Sequence, residues 1–149
     1  MNAIDLQEQL QDGRGNGIYR APAGVVAALR DAVSAAGAQW LELDLSGVAT
    51  KARFLAACAE QLGFPPEFGH NWDALADCLG DFSWDPPEAR VIFWHHGGEL
   101  ARHAPDCVAA ALEIFEDSVM GWAEHGRALW VVLDPASAGG HSLPPLPAD

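Results

Sequence analysis

The chain has 149 residues, half of them hydrophobic, which is enough to bury one sizeable core but leaves little room for a second domain. Its 8 Lys and Arg residues stand against 21 Asp and Glu residues, for a formal net charge of −13. This charge disfavours direct binding to nucleic acid or to an anionic membrane, and it favours a basic protein as partner.

The first half of the chain predicts three helices and one strand. Residues 1–17 are polar and rich in glycine near their end, so we expect a flexible lead-in. A first helix follows, because Pro22 suits a first turn and apolar residues recur at helical spacing up to Gly37. Residues 39–45 alternate as a strand does, and Thr50 suits the N-cap of a second helix. A third, short helix is predicted from Asn71 to Leu79.

The second half predicts two strands around the longest helix. Residues 91–94 form a bulky apolar run typical of a buried strand, Pro105 begins a helix that ends near Gly126, and residues 129–133 form the last strand. Strands separated by helices pair in parallel, so the predicted fold is α/β, a small three-stranded parallel sheet packed with helices in one domain over residues 18–133. The tail, residues 134–149, is rich in Pro, Gly, Ala and Ser, and we expect it to be disordered.

The cysteines and the N-terminal residues suggest a cytoplasmic protein. Cys58, Cys78 and Cys107 are odd in number, lie in apolar helical patterns and form no CxxC pair, which indicates buried, reduced thiols. No basic stretch followed by an apolar one begins the chain, and no apolar run approaches the length of a membrane span.

One segment carries charge of a single sign. Between Arg53 and Arg90 there is no Lys or Arg, whereas an ordinary solvated surface mixes both signs. The acidic residues of the segment are Glu60, Glu67, Asp73, Asp77, Asp81, Asp85 and Glu88. The distribution of charge therefore points to a surface for a positively charged partner.

The short helix of this segment places two carboxylates together. Asn71 is a good N-cap, and Asp73 in the first turn gains from the helix dipole. Helical spacing predicts that Trp72, Leu75, Ala76 and Leu79 form the buried side. Asp73 and Asp77 then stack on a neighbouring face, where two like charges cost about 0.2–0.5 kcal/mol, so folding alone does not explain Asp77.

Residues 64–79, FPPEFGHNWDALADCL, resemble the barstar family. The pattern of that family has a Pro, an aromatic-Gly pair, an Asn, Asp-Ala-Leu, a further Asp and a Leu at the same spacings. A weaker resemblance in the order of strands and helices covers about residues 40–133. The first 38 residues and the tail lie outside it.

The resemblance implies an inhibitor that binds a bacterial ribonuclease through the acidic helix and its flanking loops, with no catalytic residue, cofactor or metal of its own. The partner would be a basic ribonuclease, and the free protein would be a monomer. Residues implied at the interface are Asp77, Asp73, Asn71, Gly69, Phe68 and, after the helix, Asp81 and Phe82. Asp117 on the long helix is a weaker candidate, because it aligns with a family acid that touches the enzyme.

Phosphate mimicry gives this implied function its physical logic. A ribonuclease site is lined with cationic side chains that hold an RNA phosphate, so a fixed carboxylate can take the place of that phosphate. The sequence also departs from the best-known family member, which has an aromatic residue where this chain has Glu67, a Trp where it has Ala76, and Thr-Gly-Trp where it has residues 80–82. Aromatic anchors contribute much of the affinity of an interface, so the departures affect the target or the tightness of binding.

Functions other than inhibition fit the sequence less well. A metal-dependent hydrolase would use Asp73, Asp77 and some of the six histidines, but adjacent His95 and His96, on or near a strand, would point to opposite sides and could not easily share a metal. Nucleophilic catalysis is disfavoured because the cysteines lie in acidic or apolar surroundings that raise a thiol pKa. An acidic adaptor of the same fold with another partner stays open.

Overall fold

A computed structural model describes residues 8–10, 13–22, 24–81 and 89–146. Its core is a parallel sheet of four strands in the order β1-β4-β3-β2. The strands are β1 Gly17–Arg20, β2 Gln39–Asp44, β3 Ala89–His95 and β4 Ala128–Leu133. The helices are α1 Val26–Ala35, α2 Lys51–Gln61, α3 Trp72–Gly80, α4 Gly98–His103, α5 Pro105–Glu124 and α6 Pro135–Ala138.

The predicted parallel α/β architecture is confirmed, with one strand more than expected. Strand β1 lies at the sheet edge and pairs with β4, with Gly17 opposite Trp130 and Arg20 opposite Leu133. Four residues are too few to show a clear alternation, which is why the sequence pattern did not reveal this strand.

The lead-in contacts the rest of the fold where the structure describes it. The side-chain amide of Asn16 donates to the carbonyls of Val119 (2.8 Å) and Arg127 (3.0 Å), and its oxygen accepts from the Leu129 N–H at 2.9 Å. At Gly13, φ is +73°, and a Cβ would lie 2.5 Å from the Arg127 carbonyl oxygen, so only glycine fits. These contacts connect residues 13–17 to α5 and β4.

Helices cover both faces of the sheet. Alternate residues of β3 divide between the two, with Ile92 and Trp94 in a core shared with α2, α3 and α5, and Val91 and Phe93 in a smaller core shared with α1. Strand β4 is buried along its whole length. A strand buried on both faces reads as a continuous apolar run, as the sequence indicated.

Helix ends follow the capping residues of the sequence in α2 and α5. The Thr50 hydroxyl accepts from the Arg53 N–H at 3.3 Å, and Pro105 occupies the first turn of α5. Helix α1 begins at Val26 rather than near Pro22, the start that the sequence predicts. Helix α4 was not predicted, because one and a half turns carry too little periodicity.

The tail forms helix α6 and contacts the rest of the fold in its described part. The Asp134 carboxylate caps α6 by accepting from the Ser137 N–H at 2.8 Å. Farther on, the Pro144 carbonyl accepts from the Arg20 N–H at 2.8 Å, and Leu146 packs against the smaller core. These contacts join residues far apart in sequence, so composition alone could not predict them.

The sequence also predicted buried, reduced cysteines and no apolar run long enough to cross a membrane. All three cysteines are free thiols; Cys58 and Cys107 are buried, as expected, whereas Cys78 is half-buried. In the described ranges, no helix combines the length and apolar character that a membrane crossing requires.

Candidate protein-interaction surface

Helix α3 is held at its N-terminus by the residues that the sequence singled out. The Asn71 side-chain oxygen accepts from the Ala74 N–H at 2.7 Å, which is the predicted N-cap. Before it, His70 has a φ of +53°, and its Nδ1 lies 3.0 Å from the Phe68 carbonyl oxygen. This tight turn sets the direction in which the chain begins α3.

The buried side of α3 fixes its orientation on the core. Leu75 and Leu79 are fully buried, and the Trp122 indole N–H donates to the Leu79 carbonyl at 2.6 Å. The last carbonyls of a helix have no partner within it, so this bond from α5 satisfies one of them. Ala76, expected on the buried side, is exposed, because α5 lies along Leu75 and Leu79 and leaves Ala76 at the rim of their contact.

The acidic side chains of α3 face solvent. Asp73 and Asp77 are both exposed, and neither carboxylate makes a hydrogen bond or an ion pair within the part of the chain that is described. Asp81, also exposed, is the C-cap residue. The last turn holds no basic residue, so Asp77 and Asp81 stand at the helix end where the dipole disfavours negative charge.

The thiol of Cys78 responds to these charges. Its pKa is raised first by partial burial and then by the carboxylates of Asp77, Asp81 and Glu67. A negative field destabilises the thiolate, which is also negative. Three acids from the loop, the helix and its C-cap therefore act on one place at the surface.

A groove between α3 and α5 adjoins the acids. It encloses about 200 Å³. Its lining residues are Ala76, Gly80, Ile114, Asp117, Ser118, Gly121 and Trp122. The structure thus brings the weaker candidate Asp117, which is exposed on α5, to the same surface as Ala76 of α3. The sequence did not predict the groove; its signals are the small residues Ala76, Gly80 and Gly121.

The remaining predicted interface residues differ in how far they are exposed to solvent. Gly69 is exposed in the turn before α3, whereas Phe68 is 7% exposed and packs on Phe64 with ring centroids 5.1 Å apart. Phe68 therefore supports the turn from within and presents little of its ring to a partner. Phe82 lies outside the described residues.

The predicted orientation of the two adjacent histidines is wrong. His95 and His96 do not point apart, because a φ of +59° at His96 turns the chain out of the strand and brings the two rings to 4.4 Å between centroids. The strand ends at His95, one residue after the predicted run of residues 91–94, so the alternation of side chains does not extend to His96. Among the described residues, Asp73 and Asp77 belong to no group of three or more side chains that could share an ion.

The acidic segment lies within a region that matches a known protein family. The model of the family described as Barstar (barnase inhibitor) matches residues 38–134, about two thirds of the chain and the whole of the acidic segment. The chain belongs to the barstar family. The predicted resemblance is confirmed, and this barstar-family protein has its N-terminal strand β1 and helix α1 outside the matched range. No match was found among curated proteins.

Proposed function

We propose that this barstar-family protein inhibits a basic ribonuclease by placing the carboxylates of α3 in the phosphate-binding part of the enzyme's active site. The observation that carries the proposal is the position of Asp77 in the last turn of α3, where it is exposed and opposed by the helix dipole. An arrangement that disfavours the free helix is expected where a cationic partner neutralises it.

Rigidity of the acidic surface supports the same function. Asn71 caps the start of α3, and the Trp122 indole holds its last turn against α5. Carboxylates on a fixed helix lose little conformational freedom on binding, which leaves more of the interaction energy as affinity. The net charge of −13 would also speed encounter with a basic enzyme.

The groove contains a position at which this protein differs from the best-known family member: Ala76 lines the groove here, and that member has a Trp at the same position. We infer that an arginine side chain of the ribonuclease enters here, its methylene groups on Ile114 and Trp122 and its guanidinium at Asp117. Ala76→Leu would fill the groove and weaken inhibition, whereas Ala109→Leu, at an exposed position of α5 outside the groove, would not.

Titration of ribonuclease activity tests the proposal directly. The protein is added in increasing ratio to barnase and to other small basic ribonucleases, and RNA hydrolysis is followed. We expect inhibition of at least one enzyme with a one-to-one end point and no RNA hydrolysis by the protein alone. Binding that leaves hydrolysis unchanged would favour the adaptor function, and hydrolysis that requires added divalent ions would favour the hydrolase.

In the cell, we propose that the protein is a cytoplasmic monomer that acts as a housekeeping inhibitor or as immunity to a ribonuclease toxin. Both roles need the same surface, so the identity of the inhibited enzyme distinguishes them. Inhibition of a ribonuclease made by the same cell supports the housekeeping role, and inhibition of an imported ribonuclease toxin supports immunity.

A further inference from the structure

A cluster of three metal-ligating side chains lies at the carboxyl end of β2 and β3. Asp44 and His95 are the last residues of these strands and stand opposite each other in the sheet, and His96 follows directly. Each residue offers one ligand atom, and these atoms all lie within 4.8 Å of one another. None of the proposed ribonuclease-binding residues belongs to this cluster.

Asp44 is fixed in place from two sides. The Gln61 side chain accepts from the Asp44 N–H at 2.6 Å and donates to the Asp44 carbonyl at 2.9 Å. Both backbone polar groups of Asp44, the last residue of this edge strand, therefore have a hydrogen-bond partner. The carboxylate accepts from the N–H of Ser46 at 3.0 Å and from its hydroxyl at 2.7 Å. These two hydrogen bonds from Ser46 hold the carboxylate in one orientation.

His96 is turned toward Asp44 by an uncommon backbone conformation. A positive φ of 59° is rare for a non-glycine residue, and here the His96 N–H donates to the Asp134 carboxylate at 3.0 Å, which holds the turn. The His96 Nδ1 lies 3.0 Å from Asp44 Oδ1. Two ligands at ordinary Zn–N and Zn–O distances on a tetrahedral ion are about 3.4 Å apart, so little movement would admit a metal.

His95 supplies the second imidazole and an unsatisfied nitrogen atom. Its ring stacks on Phe93 at 5.1 Å and 15°, and its Nε2 is buried without a hydrogen-bond partner in the described structure. A buried polar atom without a partner is costly, and coordination by that nitrogen would relieve the cost. The side chains of His96 and Asp44 are 60% and 47% exposed, which leaves a coordination position open to water.

From this geometry we propose that Asp44, His95 and His96 bind one Zn²⁺ ion. Two imidazoles and one carboxylate are an established zinc ligand set, and a water completes the tetrahedron. Ser46 stays on the carboxylate as an outer support, a role that commonly contributes about 10–100-fold to metal affinity. The site is independent of the proposed inhibition, so either can fail without the other.

Calorimetric titration of the metal-free full chain with zinc chloride tests this site. We expect one ion per chain and an affinity at least tenfold lower in Asp44→Asn and in His96→Asn, the latter chosen because Asn tolerates a positive φ. His95→Phe keeps a ring for stacking on Phe93 and should weaken zinc binding likewise. His103→Asn, at an exposed histidine outside the cluster, is the matched control and should bind as the wild type does.

Two further measurements distinguish this site from a thiolate site and from a loss of folding. Cobalt(II) substituted for zinc should show visible d–d bands without a thiolate charge-transfer band, since no cysteine is a ligand. Ser46→Ala leaves all three ligands in place, so its weaker binding would support the site even if a ligand variant failed to fold. Absence of stoichiometric zinc binding, unchanged binding in Asp44→Asn and His96→Asn, or loss of binding in Cys78→Ser would each overturn the proposal.

Discussion

Replacement of Asp77 by alanine separates the cost of this residue in folding from its value in binding. The change removes a like-charge contact with Asp73 worth about 0.2–0.5 kcal/mol, and it introduces the best helix former, worth up to about 0.7 kcal/mol. No hydrogen bond or ion pair is lost among the described residues. Removal of the unfavourable interaction with the helix dipole adds up to about 1 kcal/mol. The free protein should therefore gain up to about 2 kcal/mol, which raises the Tm by at most about 8 °C for a chain of this size.

Binding should change in the opposite direction. Without Asp77, cations of the enzyme would be buried with no counter-charge, and the loss should reach the hot-spot range of at least about 2 kcal/mol, roughly 30-fold in affinity. Asp77→Asn, which keeps the shape and removes the charge, should lose affinity similarly. Glu60→Ala is the matched control, because Glu60 is an exposed acid near the end of α2.

Thermal melts of the free variants and inhibition titrations against the cognate ribonuclease provide the measurements. A structural role for Asp77 predicts the reverse pairing, a lower Tm with unchanged inhibition. That result would refute the binding role inferred from the position of Asp77, as would an Asp77→Asn variant that inhibits as well as the wild type.

Three further predictions concern charge, capping and pH. Association with the ribonuclease should slow as salt shortens the Debye length from about 30 Å at 0.01 M to about 10 Å at 0.1 M, with dissociation changing less; stopped-flow rates that ignore salt would exclude the acidic surface. Asn71→Ala should lose about 0.5–2 kcal/mol of unfolding free energy in a denaturant titration, and Asn71→Ser, which also caps, should retain most of it; equal stability of all three would contradict the capping role. Because the pKa of Asp44 is lowered from 3.8 to about 2 in the folded protein, its stabilising effect should be complete above about pH 4 and lost toward pH 2. The difference in unfolding free energy between wild type and Asp44→Asn, measured in EDTA, should disappear over that interval. A difference that persists at pH 2 would contradict the stabilising effect of the Asp44 carboxylate.

Long periodic elements were predictable because their signals are local. The apolar stripe of α5 and the caps Thr50 and Asn71 depend on residues within a few positions of one another, and the structure shows them as expected. The parallel sheet followed in turn from the separation of the strands by helices.

Elements stabilised by distant contacts were not predictable in this way. Strand β1 depends on β4 and on the bonds of Asn16 to the end of α5, which lie more than a hundred residues away along the chain. The exposure of Ala76 depends on how α5 crosses α3, and the approach of His95 to His96 depends on one backbone angle. Spacing along one helix or strand contains none of this information.

The hydrogen bond from Trp122 to the Leu79 carbonyl has a consequence for genetic screens. Trp122 is 1% exposed and carries no charge, yet it holds the end of the helix on which the acids stand. A selection for lost inhibition would therefore return Trp122 variants together with surface variants. Trp122→Phe, which keeps most of the ring volume and removes the N–H donor, would be misassigned to the interface unless its folding were measured separately.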